Sequence, residues 1–409
     1  MSQAAITTCP VDHSSHNHQK TAPILEPTNQ PLELDEFGIW HIRGYAEARQ
    51  ILRSDSTKQA GFGSELMDGL PDTMKPPILF IEGKPHLEQR RQTARFFTPR
   101  TTESQYRHFM EAYATSVLDE FRQAGRADLS DLSMKMAVQV AAQVVGLTDS
   151  LLPGMEKRID ALVHQDFSQR QNLSLWQKFS LFLKSQWQIG RFLLLDVRPA
   201  IKARRTKRRE DVISHLLDNE YGSMEILTEC ITYGAAGMVT TREFISIVTW
   251  HCLENPEYRH LMLTADEETR YQFLHEVLRL EPVVGRLLRR ATADISLDHN
   301  GETLIIPAGS LIDLHLYATN ADEAIVGEAP RQLCPGRQLA DIRPKAQPYM
   351  MSFGDGAHRC PGAYIAIQET DIFVRQLLAI ETLSLEKIPN IIYNDTVKGY
   401  EIRNFILTA

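Results

Sequence analysis

The stretch from Phe353 to Gly362, FGDGAHRCPG, constrains the fold of this chain more than any other part of its sequence. Its glycines permit backbone conformations and close approaches that a Cβ atom would block. The small and apolar residues that begin at Ala363 predict a buried helix directly after it. Cys360 would then lie just before a helix N-terminus, where free N–H groups favour the thiolate over the thiol. A thiolate held in such a loop is suited to be an axial ligand of haem iron.

The spacing of this stretch is Phe-x-x-Gly-x-His-x-Cys-x-Gly. An isolated cysteine in a turn would most often be a buried structural residue, but the whole spacing resembles the haem-binding loop of the cytochrome P450 family. The resemblance implies that Cys360 is the iron ligand and that the cofactor is haem b, iron protoporphyrin IX. The loop residues that it implies for cofactor binding are Phe353, His358, Cys360 and Gly362.

The resemblance covers about residues 35–405 and implies a mainly α, cytochrome P450-like fold with a small β region. The haem would lie between the long helix called I in that family and the cysteine loop. Residues 1–34 are predicted to be a flexible polar tail. Residues 35–409 are predicted to form a single domain, because the interior contains no linker and no break in composition.

A second match to the family lies in the predicted helix 226–253, which contains the sequence GAAGMVTT from Gly234 to Thr241. Small residues and threonines within a buried helix usually mark close packing between helices. Here they resemble the I helix, in which the small residues make room for dioxygen and an alcohol takes part in its activation. The residues that the resemblance implies are Ala236 and Gly237 beside the cofactor, and Thr240 and Thr241 as catalytic residues.

Val239 departs from the family pattern, because the position before Thr240 normally carries an acid. A valine cannot shuttle protons, so the usual acid–alcohol relay is missing. Either water or another side chain supplies the protons, or the chemistry needs fewer of them.

A third match lies between Pro85 and Pro99, which suit the first turn and the end of a helix. His86 and Arg90 are four residues apart and therefore share a face. Taken alone they would most simply form a solvated basic face. The segment resembles the family's C helix, whose His-x-x-x-Arg pair binds a haem propionate, and the planar guanidinium of arginine suits a carboxylate.

Arg289 matches the arginine that binds the second propionate in the family, with Arg286 and Arg290 as the competing candidates. Upstream of it, Glu276 and Arg279 are three residues apart, a spacing that by default gives a surface ion pair. In their position before the cysteine loop they resemble the family's buried K-helix ion pair. The residues expected to line a substrate pocket are Met238, Val284, Gly285 and Leu287.

Composition excludes several classes of function. The 44 basic and 52 acidic residues give a net charge of −8, which does not favour binding to nucleic acid. The five cysteines are odd in number and scattered, which is typical of reduced thiols in the cytoplasm. No stretch approaches the roughly 18 uninterrupted apolar residues of a membrane span. Three histidines and a cysteine near the N-terminus could hold a metal, but no surrounding fold is predicted to fix them.

Periodicity predicts further elements along the chain. Residues 38–48 are predicted to form a strand followed by a helix, residues 55–80 an irregular segment of the kind that often covers a site, and residues 295–306 a hairpin. Helices are expected over residues 106–124, 134–147 and 175–197, with a polar loop at 167–172. The basic cluster at 202–209 is expected to be a solvated loop, and residues 333–350 a meander of turns.

The resemblance implies a haem-thiolate monooxygenase of the soluble bacterial type, an oxidoreductase that inserts one oxygen atom of O2 into a small, largely apolar organic substrate. Its electrons would come from a separate ferredoxin or flavodoxin with an NAD(P)H reductase, because this chain contains no reductase domain. Three alternatives stay open. One is a P450-fold enzyme that uses peroxide or performs an oxidative rearrangement or coupling, and another is a non-catalytic haem-binding protein. The third is a structural protein with a degenerate site, against which the intact Cys360 loop argues.

Overall fold

The computed structural model describes residues 18–22, 30–62, 64, 75–163, 175–299, 301–394 and 398–409. The helices are α1 (Tyr45–Arg53), α2 (Gly83–Thr93), α3 (Pro99–Thr101), α4 (Arg107–Ala124), α5 (Leu129–Val145), α6 (Met155–Val163), α7 (Leu175–Phe192), α8 (Arg198–Thr206), α9 (Val212–Asp218), α10 (Ser223–Gly234), α11 (Thr240–Glu254), α12 (Pro256–Thr264), α13 (Glu267–Leu280), α14 (Leu316–Thr319), α15 (Glu323–Val326) and α16 (Ala363–Leu378). The strands are β1 (Leu32–Leu34), β2 (Ile39–Ile42), β3 (Thr57–Ala60), β4 (Arg126–Asp128), β5 (Arg286–Ala291), β6 (Ile295–His299), β7 (Glu302–Ile306), β8 (Leu311–His315), β9 (Ser384–Lys387), β10 (Asn390–Asn394), β11 (Gly399–Arg403) and β12 (Ile406–Thr408).

The chain divides into two compact units. The first unit comprises Met1–Leu66, Ser246–Ala363 and Pro389–Arg403, and the second comprises Met67–Ile245, Tyr364–Ile388 and Asn404–Ala409. Helices predominate and the strands form small sheets, which confirms the prediction of a mainly α fold with a small β region. The single domain predicted for residues 35–409 stays a prediction.

A five-stranded sheet of order β1-β2-β8-β5-β3 is the centre of the first unit. Strands β2 and β8 run parallel, and the other neighbours are antiparallel. Apolar side chains of β2 and β8 pack with α1, in which Ala48 and Ile51 are fully buried. Residues two apart on a strand share a face, so this alternation also sets which polar residues meet on the sheet.

The second unit is largely helical. Helix α5 contributes many of its buried residues, begins where the Asp128 carboxylate accepts a hydrogen bond from Ser130 N, and ends at Gly146 with φ of 98°. Such a capped start and a left-handed glycine at the end are the usual boundaries of a helix. A three-stranded sheet, β4-β12-β9, completes the unit.

Several local predictions are confirmed. Strand β2 is followed by α1, strands β6 and β7 form an antiparallel hairpin, and residues 333–350 contain neither helix nor strand. The segment 55–80 differs from expectation within its described residues, because it contains β3, which pairs with β5. The predicted loop at 167–172 lies outside the described residues.

The prediction of a solvated loop for the basic cluster at 202–209 is wrong for residues 202–206 and confirmed for residues 207–209, which are exposed and lie outside any helix or strand. Residues 202–206 belong to α8, and Arg204 is 1% exposed. Its guanidinium binds Asp211 at 2.7 Å and also the Asp149 carboxylate. Asp211, seven residues away, and Asp149, 55 residues away, supply the negative charge that a buried guanidinium requires.

The described residues of the N-terminal stretch differ from a flexible tail. Lys20 N and Thr21 N donate hydrogen bonds to the carboxylate of Glu281, at 2.5 and 3.1 Å, and Thr21 Oγ1 donates another. Glu281 is fully buried and Thr21 is 4% exposed. This segment is therefore held by a buried carboxylate that it helps to satisfy.

The cysteines do not all match the expectation of reduced thiols. Cys230, Cys252 and Cys360 form no disulfide, whereas Cys334 is disulfide-bonded, so the prediction is wrong for Cys334. Cys334 follows directly on Leu333, whose N–H donates to His18 Nδ1 at 3.1 Å. The N-terminal stretch therefore passes next to this part of the chain, which sequence spacing could not indicate. Within the described part of the chain, no helix combines the length and hydropathy that a bilayer crossing requires.

Candidate functional site

The loop that carries Cys360 requires glycine at two positions. Gly354 and Gly356 have φ of 68° and 66°, a region that side chains with a Cβ rarely adopt. A Cβ on Gly356 would also lie 2.1 Å from the carbonyl oxygen of Leu52, at the end of α1. The glycine pattern therefore reflects close packing of the loop against α1. Gly362 has neither constraint, since its φ is not positive and a Cβ there would lie 4.0 Å from Cys360 Sγ, an ordinary contact.

An acidic side chain fixes the tip of this loop. Asp355 accepts hydrogen bonds from Gly356 N and from Arg53 Nε, both at 2.8 Å. Arg49 Nε forms a second ion pair with the same carboxylate at 3.4 Å. Burial raises the pKa of Asp355, but the hydrogen bonds from Arg53 and Gly356 N, together with the two positive charges, outweigh burial and lower it overall. The carboxylate thus stays charged and ties the loop to α1.

The root of the loop is held by an asparagine that sequence analysis did not identify. Asn320 accepts a hydrogen bond from Met351 N at 2.9 Å and donates to Ser352 Oγ at 2.8 Å and to the carbonyl of Arg279 at 3.1 Å. Ser352 Oγ in turn donates to the carbonyl of Leu278 at 2.7 Å. The loop is therefore anchored to α13 before it reaches the cysteine.

Cys360 forms no disulfide and is half-buried. Its N–H donates to the carbonyl of Phe353 at 2.8 Å, which closes the loop on itself. The ring of Phe353 lies edge-on to Tyr349, with 4.8 Å between the centroids. Helix α16 begins three residues after the cysteine, as predicted. The sulfur is thus presented by a backbone fixed at both ends.

The predicted pair Glu276 and Arg279 is buried, and their side chains are 4% and 0% exposed. Arg279 Nε and Nη2 donate to the two carboxylate oxygens at 2.7 and 2.8 Å. Sequence analysis missed a third member, Arg337, whose Nε donates to Glu276 Oε1 at 2.9 Å. Arg337 stands in a segment without secondary structure, where the only clue is an arginine after a Pro-Gly turn.

The three arginines of strand β5 differ in burial and in their hydrogen-bond partners. Arg289 is 4% exposed, and its guanidinium hydrogen-bonds the side chain of Gln59 on β3 and the carbonyl of Leu288. Arg290 is exposed and donates to the carbonyl of Gly309, and Arg286 pairs with Asp313 at 2.7 Å. Of the three candidates, the geometry therefore favours Arg289 for a buried anionic group.

The remaining predicted residues of the first unit differ in their surroundings. His358 ends a short 3-10 turn and is half-buried. Val284 and Leu287 are also half-buried, and Leu287 Cδ1 lies 3.9 Å from a Cβ built on Gly354. Gly285 is buried, and a Cβ there would lie 2.8 Å from the carbonyl of Lys398, so this glycine serves the approach of two backbones.

In the second unit, His86 and Arg90 lie on α2, as predicted. His86 is 2% exposed and Arg90 is half-buried, so they do not form the solvated basic face that is the usual alternative. The helix ends at Thr93, earlier than Pro99 suggested. Pro99 instead begins α3, where the Thr98 side chain accepts a hydrogen bond from Thr101 N.

The long helix predicted over 226–253 is present but changes its winding at the predicted site. Between α10 and α11, Ala235–Val239 forms a π-helix, a feature frequent at functional sites. Thr240 Oγ1 donates to the carbonyl of Ala236 and Thr241 Oγ1 to that of Gly237, both at 2.7 Å. Sequence analysis could not indicate this change, because helical periodicity is the same on both sides of it.

The residues of this segment differ in solvent exposure. Ala236 is exposed, and Gly237 and Thr240 are half-buried, whereas Met238 and Val239 are buried at 0% and 2%. The small residues and Thr240 thus form one accessible face. Met238, expected in a substrate pocket, lies on the other side, and Thr241 is 5% exposed.

Within each unit, taken by itself, the predicted residues are of types that suit a thiolate-ligated haem. In the first unit, Cys360 forms no disulfide and is half-buried, and in the second unit the face formed by Ala236, Gly237 and Thr240 carries only small side chains. Each unit also contains a buried or half-buried cationic residue suited to a propionate, Arg90 in one and Arg289 in the other.

Comparisons with known proteins agree with this geometry. The family model described as Cytochrome P450 matches residues 271–393. A biotin biosynthesis cytochrome P450 of Bacillus subtilis is 25% identical over 347 residues, which cover 83% of this chain and 82% of the relative. An erythromycin C-12 hydroxylase of Saccharopolyspora erythraea is 23% identical over 86% of this chain and 84% of its own length.

Solved structures show the same fold. The crystal structure of P450BioI in complex with an acyl carrier protein ligated to hexadec-9Z-enoic acid superposes with a TM-score of 0.71 at 23% identity, covering 92% of this chain and 95% of that one. A mutant of P450 EryK in complex with erythromycin B also gives a TM-score of 0.71, at 21% identity and 93% coverage of both chains.

Proposed function

We propose, on the premise that this chain is a monooxygenase of the cytochrome P450 family, that it inserts one oxygen atom of O2 into a small, largely apolar organic substrate. The family uses a haem iron, O2 and small-molecule substrates. In our proposal the cofactor is haem b, and the electrons come from a separate ferredoxin or flavodoxin with its NAD(P)H reductase. The observation that carries the proposal is the half-buried Cys360, which forms no disulfide and stands in a loop closed by the hydrogen bond from its N–H to the carbonyl of Phe353.

Cys360 is assigned as the axial ligand. When bound, a haem with this ligand supplies the activation of dioxygen, because an axial thiolate donates electron density that favours O–O cleavage. The residues assigned to the propionates are His86, Arg90, Arg289 and His358. Burial supports the choice of arginines, since carboxylates that leave water need charged hydrogen-bonding partners.

Thr240 is assigned to proton handling. Its hydroxyl donates to the carbonyl of Ala236 at 2.7 Å, so its own proton is engaged and its oxygen is left to accept a hydrogen bond. Thr240 would therefore hold a proton-bearing water in position. Val239 is buried and contributes no proton, so the supply depends on water reaching this face.

The test of the activity is stoichiometry in the presence of a surrogate ferredoxin and reductase. A library of apolar compounds is first screened for the low-spin to high-spin optical shift, and the responding compound is then turned over. We expect one O2 and one NADPH consumed for each hydroxylated product. A haem protein that shows no spin shift and no product with any compound would favour the non-catalytic alternative.

The assignment of Cys360 has its own test. The reduced, carbon-monoxide-bound parent should show the strongly red-shifted Soret band of a thiolate haem, and Cys360→Ser should lose it. Cys252→Ala, which removes a buried free thiol elsewhere, is the matched control and should keep the band. A histidine-type band in freshly prepared parent protein would contradict the assignment.

Thr240→Ala tests the proton route. If Thr240 positions water, the variant should release more peroxide for each NADPH consumed than the parent does. The resemblance also implied Thr241 as a catalytic residue, but it is 5% exposed and we assign it to packing. Thr241→Ala is therefore the matched control, because this threonine makes the same bond to a carbonyl and should leave the peroxide ratio unchanged. An unchanged ratio in Thr240→Ala would mean that Thr240 only packs and that protons travel by another route.

Valine at position 239 favours a second candidate, an enzyme of the same fold that takes its oxygen from peroxide or rearranges an oxygenated substrate. Such an enzyme needs fewer delivered protons than reduction of O2 does. Product formed from added peroxide without NADPH, at a rate that the reductase system does not exceed, would select this candidate.

A further inference from the structure

A group of ionisable side chains on the five-stranded sheet has no part in the proposed reaction. His41 lies on β2 and Asp313 and His315 lie on β8. Parallel pairing places His41 opposite Asp313, and His315 shares the face of Asp313 because the two are two residues apart. Asp313 and His315 are 6% and 4% exposed, and the side chain of His41 is 16% exposed.

One ligand atom from each residue faces a common point. His41 Nδ1 lies 2.8 Å from His315 Nε2. Asp313 Oδ2 lies 3.9 Å from His41 Nδ1 and 3.8 Å from His315 Nε2. The circle through three atoms with these separations has a radius of about 2.1 Å, and zinc binds histidine nitrogen and carboxylate oxygen at roughly 2.0–2.2 Å.

The other nitrogen of His41 is oriented by a carboxylate. His41 Nε2 lies 3.1 Å from Asp35 Oδ2, and Asp35 Oδ1 accepts hydrogen bonds from Phe37 N and Ile39 N at 2.9 and 2.8 Å. A proton on Nε2 leaves the lone pair of Nδ1 directed at the common point. A carboxylate behind a histidine is the usual outer partner of a metal ligand, because it fixes the tautomer and raises the basicity of the ligand.

Asp313 also has an unused oxygen. Its Oδ1 is buried and has no hydrogen-bond partner, whereas its Oδ2 accepts Arg286 Nη1 at 2.7 Å. A buried oxygen without a partner is costly in a folded protein, and a cation bound to Oδ2 of the same carboxylate would offset part of that cost. Arg286 provides one positive charge for the carboxylate, but its side chain is 31% exposed and can turn away to solvent.

We propose that His41, Asp313 and His315 form a binding site for a divalent transition-metal ion of the zinc type, separate from the haem site. Two imidazoles and one carboxylate are ligands that Zn²⁺ prefers, and a fourth position is left for water. The ion displaces Arg286 from Asp313 and joins β2 to β8, two strands that are distant in sequence. Asp35 acts as a positioning residue through His41.

The test measures zinc bound to the haem-loaded full chain. All proteins carry His13→Ala and His16→Ala, which remove two N-terminal histidines as competing zinc ligands. After equilibrium dialysis against Zn²⁺ at pH 7.5, the zinc-to-iron ratio is measured by mass spectrometry. Thermal unfolding is recorded with and without zinc, since an ion that binds only the folded state raises Tm.

Four variants separate a metal site from a plain ionic cluster. His41→Gln should lose one equivalent of zinc and the rise in Tm. Asp35→Asn should weaken binding about 10- to 100-fold, as loss of an outer carboxylate does. Arg286→Gln should tighten binding, because the competing charge is gone. His299→Gln is the matched control, since His299 pairs with Glu47 outside the cluster, and it should bind as the parent does.

Other variants could lose zinc simply because they fold poorly. Arg286→Gln is expected to bind zinc more tightly, a result that misfolding cannot produce, so this variant keeps the test decisive. Equal zinc content in the parent and His41→Gln would overturn the proposal. Zinc affinity that Arg286→Gln leaves unchanged or weakens would overturn it as well.

Discussion

Glu229 on α10 offers the most direct test of the electrostatics of the second unit. Its side chain is 1% exposed, and Oε1 accepts hydrogen bonds from Ile78 N and from Gln89 Nε2, both at 3.0 Å. Oε2 is buried without a partner. Burial raises the pKa of Glu229 from its ordinary value of 4.5 to about 7, although the two hydrogen bonds act in the opposite direction.

This raised pKa makes the parent protein less stable as pH increases. Below pH 4.5 the carboxyl is neutral in both the folded and the unfolded state, so it adds no pH dependence. Between pH 4.5 and about 7 the unfolded chain loses the proton while the folded chain keeps it, so the free energy of unfolding falls. At about 1.4 kcal/mol for each pH unit, the loss reaches about 3 kcal/mol and then levels off.

Glu229→Gln should remove this loss, because a neutral amide replaces the carboxyl and its oxygen can still accept both hydrogen bonds. We expect the stability of the variant relative to the parent to increase between pH 5 and pH 7 by about 2–3 kcal/mol. The carboxylate charge of Glu229 also acts on neighbouring groups. Burial raises the pKa values of Tyr221, Cys230 and Tyr233, and the negative charge of Glu229 raises them further.

The assay is urea unfolding of the haem-loaded proteins, followed by circular dichroism from pH 5 to pH 8.5. Glu328→Gln, at an exposed glutamate, is the control and should remain parallel to the parent at all pH values. Glu369 on α16 contributes a similar slope to every protein, because burial raises its pKa to about 8. A difference between Glu229→Gln and the parent that does not vary with pH would refute the reasoning, since it would mean that the carboxylate is already charged in the folded protein.

Three further predictions concern the first unit. Arg279→Met should lower the free energy of unfolding by roughly 3–5 kcal/mol, measured by urea unfolding, because it leaves the buried glutamate of α13 short of a charged partner. Arg289→Leu should weaken haem binding by roughly 1.5–3 kcal/mol, the contribution of a charged hydrogen bond, which is measured as loss of haem on gel filtration. The control Arg290→Leu, at an exposed arginine, should retain haem. Loss of haem from Arg290→Leu but not from Arg289→Leu would move the assignment to Arg290. Thr21→Val should lower the free energy of unfolding by about 2 kcal/mol in the same urea assay, because the hydroxyl that donates to the buried Glu281 is lost. An unchanged unfolding midpoint would show that the N-terminal segment does not stabilise the fold.

The sequence by itself determined the elements whose cause is local. The glycines around Cys360, the helix that follows at Ala363 and the hairpin 295–306 all depend on residues within a few positions of one another. Backbone conformation, turns and the two periodicities of helix and strand act over this range, so the order of residues is sufficient to predict them. The resemblance to the family rests on the same short patterns.

Tertiary structure alone decided which distant side chains meet. Arg337 completes the ion pair of α13 from 61 residues away, and Glu229 meets the chain at Ile78, 151 residues earlier. His41 and His315 are brought within 2.8 Å by the pairing of β2 with β8, although 274 residues separate them. Which buried polar group finds a partner, and which, like Asp313 Oδ1, does not, depends on how whole elements pack, and no pattern within a single element carries that information.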